Sequence, residues 1–270
     1  MNAPMQPQPF IEPPDSPADV RTLAGCRFGD KGTHTSRTIM LSELRDLFAA
    51  VPADASRETY ATAIVDENVL GKQTVATRRL TRQRLAELYG LDPAIPLFRV
   101  LRRLWTRDGT GRPLLAMLCA LARDPLLRAT QPSVLALPEG AELVRANFRD
   151  AIRQAVGGRL NESVLDKVAR NAASSWSQSG HLHGRVRKIR RHVAPTPGAL
   201  TLALWLGSLE GLSGQALLDT PWTRVLDCTG QRLLPVALQA KQLGLIHVRA
   251  GGGVVEIDTS GLDPLTARHR

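Results

Sequence analysis

His181, His183 and His192 fall within twelve residues of one another, in the stretch SSWSQSGHLHGRVRKIRRHV, interleaved with Arg185, Arg187, Lys188, Arg190 and Arg191. Imidazoles at this spacing can ligate a metal or move protons, and cations at this density can meet a polyanion. Zinc calls for about four Cys, His or carboxylate ligands, yet no Asp, Glu or Cys occurs between Lys167 and Leu209. The reading is therefore no metal, with the histidines acting as donors beside the cations. Lys167 and Arg170 extend the acid-free run upstream. A solvated helix normally mixes signs, because intrahelical pairs offset repulsion, and here the repulsion is left standing. If RVRKIRRH is helical, Arg187, Arg190 and Arg191 share one face while Val186, Ile189 and Val193 pack on the other. Trp176 then acts as the packing peg.

Catalytic signatures are lacking elsewhere. The chain has no GxSxG, and Cys26, Cys119 and Cys228 are far apart without a paired spacing. FGDKGTHTSR, Phe28 to Arg37, carries glycines and bases but not the GxxxxGK[ST] of a phosphate loop. It reads as a polar lead-in segment. No catalytic residue and no cofactor is expected.

A second basic element is TVATRRLTRQRLAELYG. Thr74 caps a helix ending at Gly90, in which Val75, Leu80, Leu85 and Leu88 face the core and leave Arg78, Arg79, Arg82 and Arg84 outside. The preceding helix starts at Ser56, buries Tyr60, Ile64 and Val65, and stops at Gly71. With a turn of about four residues between them, the two form a helix-turn-helix unit whose second helix suits a major groove. Thr74 and Thr77 stand near its start to meet a phosphate, and the arginines can pair with phosphates or guanine edges.

These residues need a scaffold, and the rest of the chain reads as helices. Apolar positions recur at helical spacing from Ser36 or Ser42 to Ala50, Leu97 to Thr106, Pro113 to Arg123, Glu139 to Val156 and from Asn161 onward, and Asp124 with Pro125 opens a short helix. ALTLALWLGSL, after Thr196 and Pro197, is too apolar all round to be anything but buried. Pro235 kinks or starts the last helix. LGLIHVRAGGGVVEIDTS then alternates like a β-hairpin, with glycines 251 to 253 in the turn and Arg249 on the outer face. The fold expected is mainly α: a helical bundle with a helix-turn-helix and a C-terminal winged-helix-like module containing a small β-hairpin. The division expected is a disordered Pro-rich tail (1–22), an N-terminal helical domain with the helix-turn-helix (23–93), a central helical bundle with the basic segment (94–193) and the winged-helix-like module (194–270).

Composition agrees with a polyanionic partner. Thirty-five Lys and Arg against twenty-five Asp and Glu give a net charge of +10. Arg- and Ala-rich chains can be basic without binding nucleic acid, so composition alone leaves the partner open. The tail carries six prolines in its first seventeen residues and has neither the basic start nor the apolar run of a signal peptide. The longest apolar run is eleven residues against the roughly 20 of a membrane span, so no membrane partner is expected, and the unpaired cysteines suit a reducing cytoplasm.

The segment TYATAIVDENVLGKQTVATRRLTRQRLAELYGLDP resembles the N-terminal motif of the BrxA family of bacteriophage-exclusion (BREX) defence systems. The resemblance rests on Ile64, Glu67, Asn68, Leu70, Lys72, Ala76, Thr77, Arg78 and Arg79. ARNAASSWSQSGHLHGRVRKIRR resembles that family's Trp-bearing segment more loosely. The resemblance implies an all-helical, non-enzymatic accessory protein with winged-helix-like and bundle parts that binds DNA in anti-phage defence alongside other proteins of the system. The Pro-rich tail and hairpin-closed C-terminal region depart from the pattern. The function expected is binding of double-stranded DNA, mainly through phosphates, by the residues of both basic elements and Arg249. A scaffold docking acidic partner proteins is the rival. An RNA-binding module is weaker, because aromatic residues make up only 4 % of the chain and no aromatic-rich strand offers a stacking platform.

Overall fold

Helices begin where short polar side chains satisfy their free N–H groups. The computed structural model describes residues 19–251 and 254–264; most of the expected tail and two of the three hairpin glycines lie outside them. In chain order the helices are α1 (Val20–Leu23), α2 (Leu41–Ala50), α3 (Arg57–Val65), α4 (Val75–Tyr89), α5 (Pro96–Arg107), α6 (Arg112–Arg123), α7 (Pro125–Ala129), α8 (Gln131–Leu135), α9 (Arg145–Ala155), α10 (Glu162–Gln178), α11 (Pro197–Ser208), α12 (Pro221–Arg224) and α13 (Leu234–Gln242). Ser56, Thr74, Asp124, Asn161 and Thr196 cap α3, α4, α7, α10 and α11 as read from the sequence. Strands β1 (Leu182–His183) and β2 (Ile189–Arg190) form one antiparallel pair, and β3 (His247–Gly251) and β4 (Val254–Asp258) another. The fold is mainly α with small β-hairpins, as expected.

One cluster of buried side chains runs from Ala24 to Leu262. At its centre lies α11, in which every residue from Gly198 to Gly207 is buried, packed on α5, α6, α12 and α13. Phe48, Tyr60, Phe98 and Trp105 meet edge to face beneath α2 and α3, with Phe48 and Trp105 centroids 5.1 Å apart. No helix among the described residues is long and apolar enough to cross a membrane. Cys26 and Cys119 are buried and free; burial pushes their thiols up to about 11 and about 12.

Several arginines face inward, onto the unsatisfied carbonyls that every helix C-terminus leaves. Arg102 donates to Val51 O at 2.8 Å and lies 4.1 Å above the Phe48 ring, closing α2. Arg123 donates to Ala86 O and Glu87 O in the last turn of α4, and to Gly25 O. Arg128 reaches Leu121 O and Ala122 O in α6, and Arg27 O, each at 2.8 Å. Arg78 ties Val65 O, at the end of α3, to Lys72 O. Among the described residues none of these four is within salt-bridge distance of a carboxylate. Burial pushes Arg102, Arg123 and Arg128 down from the usual guanidinium value. Part of the basic excess is thus an internal fastening.

Four expectations about the elements change. α3 ends at Val65 rather than Leu70, leaving nine residues before α4 instead of about four. In α4, Val75 and Leu80 are 48 % and 37 % exposed, while Thr81, Leu85, Leu88 and Tyr89 form the buried face. Leu80 and Leu85 are five residues apart, which at 3.6 residues per turn separates them by about 140°. α9 starts at Arg145 rather than Glu139, because residues 140–143 pair with β2 instead. The stretch expected to be helical beyond Gly184 is β2 and the loop before it.

Candidate nucleic-acid interface

The basic segment leaves α10 and turns at once. Trp176 is fully buried, its Nε1 donating to Thr130 Oγ1 at 2.9 Å, and serves as the expected peg. The ring of His181 stands edge to face against it, with centroids 4.8 Å apart. His181 Nε2 lies 2.7 Å from Val225 O, which can only accept, so Nε2 carries the hydrogen and Nδ1 takes the Ser179 hydroxyl at 2.8 Å. Burial pulls the imidazole down from 6.5 to about 4. His181 is therefore a neutral core residue and is withdrawn from the interface.

Between roughly pH 4 and 6.5 the unfolded chain binds a proton at this position that the folded chain refuses, so stability rises with pH through that window. At 1.36 kcal/mol per unit the whole effect is on the order of 3 kcal/mol. His181→Gln should lower stability at neutral pH through lost packing, but flatten the decline between pH 6.5 and 4 in urea unfolding. An unchanged slope would remove His181 as its source.

Beyond His183 the chain makes a hairpin. Gly184 sits at φ +102°, and a Cβ there would collide with the Arg187 carbonyl oxygen, so the turn needs glycine. The register pairs Leu182 with Arg190 and His183 with Ile189. Residues 140–143 flank β2 on its other side, through Gly140 N to Arg190 O (2.9 Å), Arg190 N to Ala141 O (2.8 Å) and Leu143 N to Lys188 O (2.8 Å). Arg190 is wholly buried. It forms an ion pair with Asp227 through both carboxylate oxygens and donates to the carbonyls of His181 and Arg191. Asp227 also accepts Val193 N–H at 2.8 Å. Arg190 is structural and leaves the interface as well.

The helix expected here would have stacked five cations at i, i+3 and i+4 spacings. The hairpin spreads them and admits acids distant in sequence. Besides Asp227 inside, Glu142 takes Arg187 at 2.7 Å and Glu139 stands 3.7 Å from His192. His183, Arg185 and Arg191 remain exposed; Lys188 is half-buried, which pushes its ammonium down. Val186, expected inside, is 87 % exposed at the loop tip.

The α4 set divides in the same way. Thr74 and Thr77 bond each other at 2.9 Å in the cap. Arg78 is the carbonyl tie described above, and Arg84 pairs with Glu87 at 2.8 Å. Neither is free to reach a ligand as expected. Arg79 and Arg82 have no polar partner among the described residues, and with Leu80 and Gln83 they border a shallow groove walled by Ala61, Thr62, Val65 and Asp66 of α3 and its C-terminal edge. Arg249 is exposed on β3, 3.7 Å from Glu256 across the ladder.

One constellation escapes a local reading of the sequence. His34 Nδ1 lies 2.7 Å from Asp124 Oδ2, and Nε2 lies 2.8 Å from Ser175 Oγ. A hydroxyl, an imidazole and a carboxylate in line are the parts of an activated nucleophile. Here all three are buried, and Ser175 Oγ also accepts Ile39 N–H at 3.0 Å and lies 2.9 Å from Asn171 O. Burial pushes Asp124 up, yet His34 and the N–H groups of Leu127 and His34 outweigh it and hold the carboxyl below its usual range. The arrangement fastens the His34 turn to α7 and α10, which is what FGDKGTHTSR contributes. Among the described residues no group of three or more His, Cys, Asp or Glu is placed to hold a metal ion.

Comparison with protein families finds no match, and comparison with curated proteins finds none either.

Proposed function

We propose that the chain is a non-enzymatic DNA-binding accessory protein of an anti-phage defence system. In this reading it works in the cytoplasm and grips duplex DNA chiefly through phosphates. The observation that carries the DNA part is the 182–190 hairpin. A buried ion pair, a buried histidine and a tryptophan peg hold its base, while Arg185 and Lys188 on its outer part, with His183 and Arg191 nearer its base, have no carboxylate partner among the described residues. Rigid presentation of exposed cations suits a regularly spaced polyanion. The defence role rests on the sequence resemblance at residues 64–79. α3 with α4 is read as a helix-turn-helix, and α13 with β3 and β4 as a winged-helix-like module whose Arg249 reaches a neighbouring strand. Titration of labelled duplex, single-stranded DNA and RNA at several salt concentrations tests this. Duplex binding that weakens steeply with salt is expected, and no binding at low salt would overturn it.

The exposed apolar residues of α4 favour a second reading for that helix alone. Val75 and Leu80 beside Arg79 and Arg82 suit an acidic, partly apolar protein surface. If Arg79→Glu with Arg82→Glu leaves DNA affinity unchanged, α4 is the docking face of a scaffold rather than part of the DNA grip.

A further inference from the structure

The loop at the end of the 182–190 hairpin carries a feature that phosphate binding does not use. Val186 is the most exposed large apolar side chain among the described residues. It stands alone at the tip, flanked by Arg185 and Arg187, rather than within an apolar patch. The turn itself calls for glycine only at 184, where a Cβ would meet the Arg187 carbonyl oxygen. A β-branched apolar tip between two guanidinium groups is the chemistry of a wedge carried on a cationic arm.

We propose that residues 184–188 enter the minor groove of duplex DNA, with Val186 wedged against a base step and Arg185 along the groove. This rests on the DNA-binding reading above and deepens it. Three considerations select the minor groove. The five-residue loop is too small to fill a major groove about 12 Å wide. Narrow A·T-rich minor grooves concentrate negative potential and attract inserted arginines. Apolar side chains inserted there unstack a step and bend the duplex, a cost repaid by the extra protein surface the bent duplex contacts. The base of this hairpin is held on both sides, by residues 140–143 and by the buried Arg190–Asp227 pair. Glu142 parks Arg187 on the hairpin's flank, leaving Arg185 as the cation beside the wedge with no polar partner among the described residues.

The test uses the full chain and short duplexes that differ only in a central A·T-rich or G·C-rich step, end-labelled so that energy transfer reports bending. Expected are about tenfold tighter binding to the A·T-rich duplex and a bend within the roughly 20–90° range of wedge-inserting proteins. Val186→Ser should erase both the preference and the bend while keeping the salt slope, since the phosphate contacts survive. Val186→Leu should preserve both. Netropsin, which occupies the minor groove, should displace the protein. Because Val186 is exposed, both variants should melt at the wild-type temperature, which separates loss of the wedge from loss of the fold. Duplex binding with the same affinity, bend and base preference in Val186→Ser overturns the insertion and leaves the DNA reading standing. Absence of duplex binding by the unaltered chain at low salt, including the case where it binds anionic vesicles instead, overturns both.

Discussion

Arg190→Met lowers the stability of the folded chain by about 3–5 kcal/mol, as expected when one member of a buried ion pair is removed and the other stays. In a chain of this size that corresponds to a fall in melting temperature of about 10 °C. The expectation follows from how completely Arg190 is enclosed: both terminal nitrogens of its fork reach Asp227, one of them also meets the carbonyls of His181 and Arg191, and Nε is buried without a partner among the described residues. Asp227→Leu should cost a similar amount, because it leaves a guanidinium with only backbone acceptors. The double variant Arg190→Met/Asp227→Leu should be more stable than the sum of the two single losses implies, though short of the parent, since the carbonyls of His181 and Arg191 lose their donor. Thermal and urea unfolding of the four proteins complete the cycle. Additive losses would mean that the two residues act independently.

The second large effect concerns binding. Arg185→Glu, Lys188→Glu and Arg191→Glu together should lower duplex affinity by at least about a hundredfold at moderate salt, and the slope of log affinity against log salt should shrink by about 0.9 for each phosphate contact removed. Arg84→Glu, at a residue already paired with Glu87, should leave the slope unchanged. Arg190 is unsuitable for this experiment because its loss acts through the fold. A triple variant with the parental slope would take the hairpin out of the DNA grip, whatever its affinity.

How much of this was legible in the sequence depended on how far each cause reached along the chain. The caps at Ser56, Thr74, Asp124, Asn161 and Thr196 were readable because a cap acts within three residues of itself. The buried character of α11 was readable because all its sides are apolar. The facing of α4 follows from helical geometry: five positions separate Leu80 from Leu85 by about 140°, so the exposed Leu80 and buried Leu85 lie on different faces. The hairpin was beyond such a reading. Its acids come from Glu142, 45 residues before Arg187, and from Asp227, 37 residues after Arg190. Once those are in place, an acid-free run ceases to mean an uncompensated surface, and a chain segment that repels itself as a helix becomes stable as a strand. The His34, Asp124 and Ser175 fastening joins residues 90 and 141 positions apart and left no local trace.

The inward arginines bear on how fast and how tightly a polyanion is held. Coulomb attraction at a distance counts every charge, including guanidinium groups folded over helix ends, so the whole excess of +10 contributes to diffusional encounter. Once contact is made, only groups with a free donor at the surface slow departure. Arg102, Arg123 and Arg128 have spent theirs on carbonyls. On the DNA-binding reading proposed above, a protein built this way would gather its partner from solution with its full charge and retain it with a small subset, which favours rapid arrival, rapid exchange and easy relocation along a uniformly charged strand.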